Sequence, residues 1–166
     1  MNARVTGLLT TFEPGRDQLR IIAGRSTFGG RILLAEIVTS SGSEPPLRRH
    51  RHEDLMIYVL AGHLTFHIDG QQFPVTPGTC VLLPRGSEHG YTIESETAHL
   101  LVIVTPGGTE EHLAELFGSP GVPASTTGDG AWQAIERLVT TGARHGIDIT
   151  GPPPGRGVER ARSRPT

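Results

Sequence analysis

Residues 78–93 read GTCVLLPRGSEHGYTI. Five residues separate Gly78 from Pro84, one separates Pro84 from Gly86, and two separate Gly86 from His89. Gly and Pro at such offsets build a strand, a tight turn and a re-entry that aims His89 inward. The flanks carry the same grammar. Short apolar or alternating runs recur at 19–23, 31–38, 57–61, 63–68, 72–75, 79–83, 90–94 and 98–104. Turn signals (FGG, SSGSEPP, AG, DG, TPG, PRGSE) separate them. In 63–68 the alternation is clean, with Leu64, Phe66 and Ile68 on one face and His63, Thr65 and His67 on the other. Many short strands so spaced predict an antiparallel sandwich or barrel.

After Pro106 the period changes. Thr109 caps a helix expected over about 109–117, with Glu110 and Glu111 in its first turn. A second helix is expected over about 129–145, closed by Gly146, with Trp132, Ile135, Leu138 and Val139 on one face. Residues 1–150 thus read as one domain with its barrel core at about 30–105. Residues 151–166, GPPPGRGVERARSRPT, read as a disordered tail.

Composition excludes several classes. All 15 basic residues are Arg, so no Lys is present for a Schiff base or a phosphate loop. Cys80 is the single cysteine, which rules out an intrachain disulfide and a cysteine zinc cage. A net charge of −2 offers no global basis for binding nucleic acid or a membrane surface. Neither a secretory leader nor an apolar run long enough to span a bilayer is visible, so a cytoplasmic location is expected.

The histidines hold the chemistry. His50 and His52 are two apart, and on an extended segment both imidazoles share a face. That is a way to give two nitrogen ligands to one divalent metal. Glu53 follows His52 and by alternation should point away. His63 and His67 are candidate acid–base groups if their face lines the barrel. Tyr91, two after His89, is a candidate donor to a substrate oxygen. Arg85 stands at the rim in the turn before His89. Cys80 reads as core, and His99 as a satisfied, partly buried residue.

The stretch 78–93 resembles the second motif of the cupin superfamily, and PPLRRHRHEDLMIYVLAGHLTF at 45–66 resembles the first. The closing HGIDITGPP at 145–153 is similar to that of small bacterial cupins of the quercetin-dioxygenase-like kind. The resemblance implies an all-β fold: an antiparallel cupin barrel of the double-stranded β-helix or jelly-roll type, followed by the two helices. It also implies a homodimer and a small-molecule substrate. Two positions depart from the family pattern. The metal-ligand Glu of the first motif is Leu55, and the terminal Asn of the second is Ile93. Both are expected to line the pocket.

Three functions follow as expectations. The first is a metal-dependent dioxygenase on an enolisable or phenolic substrate, with Fe, Ni, Mn, Zn or Co on His50, His52 and His89. The second is a non-oxidative cyclase, isomerase, dehydratase or decarboxylase of secondary metabolism, working with or without metal. The third is a ligand-binding cupin without catalysis.

Overall fold

The computed structural model describes residues 17–24, 26–110, 112–113 and 129–155. Among these residues ten strands form two antiparallel sheets. The first has the order β1(Gln18–Ala23), β2(Leu33–Ser40), β9(Thr97–Thr105), β4(Asp54–Ala61), β7(Cys80–Leu83). The second has the order β10(Ile147–Gly151), β3(Leu47–His50), β8(His89–Ile93), β5(Leu64–Ile68), β6(Gln71–Val75). All eight strands expected from the sequence form. The chain adds β3 and β10, which pair with each other.

Alternation explains the core. In β9, Ala98, Leu100, Val102 and Val104 are buried, while His99, Leu101 and Ile103 are only partly covered. In β4, Leu55, Ile57 and Val59 point in, and Met56, Tyr58 and Leu60 point out. From the second sheet, Leu64 and Phe66 of β5 stand beside their register partners Ile93 and Tyr91 of β8 and face this layer. Period-two apolar residues of both sheets therefore interdigitate in one layer.

The β5–β6 hairpin turns on Asp69 and Gly70, with φ of 47° and 80°. Two successive positive φ values make the type I′ turn that suits strand twist, and Asp-Gly is its favoured pair. Cys80 and Leu82 lie on the outward face of edge strand β7, so Cys80 is exposed rather than core.

One helix is described in full, α1(Asp129–Arg144), which packs on β10. Its Leu138 is buried, but Val139 is exposed; the Trp132 and Ile135 side chains lie outside the described residues. Of the helix expected over 109–117, Glu110, His112 and Leu113 are described as helical. Thr109 precedes them and is buried, and residues 111 and 114–117 lie outside the described residues. No helix among the described residues is long and apolar enough to cross a membrane.

The expected boundary at 150 falls inside β10, which ends at Gly151. Pro152 accepts a backbone bond from Leu47, and a side chain added at Gly90 would meet Pro154 at 3.0 Å. Residues 151–154 thus lie against the second sheet. Residues 156–166 lie outside the described residues.

Candidate functional site

Strands β3 and β8 carry the polar interior. In β3, Arg48 and His50 face inward and Arg49 outward. Across the ladder Arg48 is the register partner of His89. The turn Pro84–Ser87 fixes this corner. Its Gly86 N–H donates to the His50 carbonyl at 2.7 Å, and Ser87 N–H returns to the Pro84 carbonyl at 3.1 Å. Arg85 leaves the turn to hold Asp54, with its backbone N–H at 2.9 Å and Nη2 at 2.6 Å. Those bonds keep the Asp54 carboxyl down at about 2. Arg85 is thereby engaged on the surface, binding the two motifs together.

Inside, the His50 and His89 rings stack with centroids 5.5 Å apart and planes at 17°. His89 Nδ1 lies 3.1 Å from the Ser87 carbonyl. That acceptor puts the proton on Nδ1 and leaves the buried Nε2 with a free lone pair and no partner. His50 Nδ1 lies 3.4 Å from Glu53 Oε2, at an angle that makes no hydrogen bond. His112 is 1% exposed, and neither ring nitrogen has a hydrogen-bond partner. Burial is the main cause that keeps all three rings neutral. It pushes His89 down to about 2 and His112 to about 3, with the Arg48 charge adding to each. His50 is lowered for the same first reason, with Glu53 opposing.

Arg48, His50, Tyr91, Thr109 and His112 join six aliphatic side chains and Leu113 around a cavity between the sheets. Its empty space is about 460 Å3, continuous with solvent, but only about 20 Å3 is wide enough for the centre of a water molecule. Leu55 lines it as expected. Ile93 is fully buried in the core beyond the lining. Tyr91 is inside, tilted against Phe66 at 5.5 Å. Burial raises its hydroxyl to about 12, so it stays a neutral donor.

Other expected site residues stand elsewhere. His52 is exposed, and its ring lies over Gly146, where an added Cβ would come within 2.6 Å of Cδ2. Residues 51–52 form a bend, so the two-residue alternation stops at His50. The same bend turns Glu53 inward, 8% exposed, against the expectation that it points away. His63 is exposed, and His67 bonds Thr92 at 3.0 Å. Leu64 and Phe66 occupy the inward positions of β5, so both histidines lie outside the cavity. His99 pairs with Glu36 at 2.7 Å, satisfied as expected.

A shared metal ion needs at least three protein donors aimed at one point. Among the described residues no three His, Cys, Asp or Glu side chains stand in that way. His50, His52 and His89 do not converge, so these positions do not fit the expected three-histidine centre.

Residues 35–104 match the family model described as Cupin domain. Over these residues the chain carries a cupin domain. It is 26% identical over 92 residues to quercetin 2,3-dioxygenase of Bacillus subtilis, a match spanning 55% of this chain and 27% of that protein. The polyketide cyclase RemF from Streptomyces resistomycificus superposes with a TM-score of 0.50 at 26% identity, over 64% of this chain and 80% of that chain. KdgF from Halomonas sp. shares the fold with a TM-score of 0.52 at 19% identity, over 61% and 88%.

Sequence reasoning missed Arg48, Glu53, Thr109 and His112 in this chain. Arg48 had a signal, because it sits two residues before His50 on one strand. The inward turn of Glu53 and the docking of His112 had none.

Proposed function

We propose that this protein is a small-molecule enzyme that moves protons on an enolisable or phenolic substrate, as in a cyclisation, isomerisation or dehydration. One observation carries the reading: His50 lines a largely apolar cavity, and the Glu53 carboxylate, outside that lining, stands 3.4 Å from its Nδ1. Glu53 stabilises His50 when its ring takes a proton, the division of labour found in carboxylate–histidine catalytic pairs. His89 is held neutral and too weakly basic to be the base. It stacks on His50 from outside the cavity lining and holds that ring in place. Tyr91 presents a neutral hydroxyl to the cavity. The apolar wall excludes water from a carbanion or enolate. The likeness to a polyketide cyclase supports this class of reaction.

A second reading, a metal-dependent dioxygenase on the same kind of substrate, draws on the likeness to the Bacillus enzyme. Turnover of enolisable polyketide-like aromatics, followed with and without O2 and chelator, separates the two. Conversion under argon with chelator present, lost in Glu53→Gln and His50→Gln, is the expected result. Strict dependence on O2 and on added metal would overturn the proton-transfer reading.

A further inference from the structure

Arg48 is 7% exposed and lines the cavity. A guanidinium carries five N–H donors and keeps its charge when buried. Here Nη1 reaches the Pro46 carbonyl at 3.3 Å, and among the described residues no carboxylate pairs with the group. An unpaired buried charge is among the costliest features a fold can hold. Among the described residues no acidic side chain lines the cavity. Two more polar groups on the wall lack partners among the described residues, the Thr109 hydroxyl and both nitrogens of His112. Opposite them the wall is Ile37, Leu55, Ile57, Leu100, Val102 and Val104.

From this placement we infer that Arg48 is the anion-recognition residue of the cavity, and that the natural ligand is a small amphipathic anion. Its carboxylate, enolate or phenolate oxygen meets the guanidinium, and its apolar body lies along the aliphatic wall. Thr109 and His112 supply the remaining hydrogen bonds to that oxygen. The inference rests on the cavity being the substrate site, and it names the substrate class of that site. An anion beside Arg48 would also cancel the positive field that disfavours protonation of His50, so binding would prepare the base.

Calorimetric titration tests this with the smallest paired probes of equal shape, acetate against acetamide and propionate against propionamide. The wild-type protein should bind each carboxylate at least ten-fold more tightly than its amide. Arg48→Gln should abolish that preference, and Arg48→Lys, which keeps the charge but not the fork, should retain part of it. Equal affinity for acid and amide, a preference that survives Arg48→Gln, or no binding of any probe would overturn the assignment. Equal affinity would place the partner of Arg48 within the chain itself. Should Arg48→Gln not fold, the wild-type pairs and Arg48→Lys still decide the matter. The readout involves no turnover. A protein that prefers carboxylates yet converts substrate without His50 would sink the proton-transfer reading alone.

Discussion

Acid should unfold this protein earlier than its carboxylates require, and three rings set the margin. His50, His89 and His112 are buried and neutral, with His89 held at about 2 and His112 at about 3 against an ordinary value of 6.5. Their folded pKa values are depressed. The stability they allow is therefore complete above pH 6.5 and is lost as pH falls toward the folded values, because the unfolded chain takes up protons that the folded one refuses. Between pH 7 and pH 5 each fully depressed ring costs about 2 kcal/mol, at roughly 1.4 kcal/mol per pH unit below 6.5. His89 and His112 together cost about 4 kcal/mol, a large part of the roughly 5–15 kcal/mol that holds a domain together. His50 adds a loss of the same sign. Urea titrations followed by circular dichroism at the two pH values measure it. With a slope of about 2 kcal/mol per molar, the midpoint should fall by about 2 M. His112→Leu should halve the two-ring loss. It should leave stability at pH 7 equal or higher, because burying two unpartnered nitrogens costs about 1–3 kcal/mol. A midpoint that does not move between pH 7 and pH 5, or an undiminished acid loss in His112→Leu, would refute the argument from buried neutral rings.

Three further outcomes are expected. His50→Ala should lower turnover by about 10²–10⁴-fold, the usual worth of a positioned acid–base group, whereas His52→Ala should change it little; equal losses in steady-state assays would restore His52 to the site. Leu55→Glu should place a carboxyl in the apolar wall, raise its pKa above the usual carboxylate range and destabilise the fold by about 3 kcal/mol. Unchanged activity and melting temperature in that variant would show that position 55 does not border the reacting space. If the outer face of the first sheet, with Met56, Tyr58, Leu60 and the 63% exposed Leu82, covers the expected homodimer contact, Leu82→Asp should yield monomers in analytical ultracentrifugation; an unchanged dimer would place the contact elsewhere.

The two sheets were legible in the sequence because alternation is a local property. Residues 98–104 and 63–68 state their inward faces without reference to any other part of the chain, and Asp69-Gly70 states its turn. The spacing of Gly78, Pro84, Gly86 and His89 likewise specified a corner that delivers His89 inside. Strand β3 was less visible, because LRRH has no apolar alternation and is extended through its pairing with β10 and β8. Which polar residues share the cavity was decided by tertiary structure. The bend at 51–52 interrupts the two-residue period, sending His52 out to Gly146 and bringing Glu53 in to His50. His112 reaches the cavity through a helical segment after β9, beside Gly142 of α1, where an added Cβ would stand 3.6 Å from its ring. His63 and His67 lie outside because Leu64 and Phe66 claim the core side of β5, as apolar burial requires. A strand's period fixes which residues share a face. Only the packing of remote segments fixes which face meets which, and that is where the chemistry of this chain is assembled.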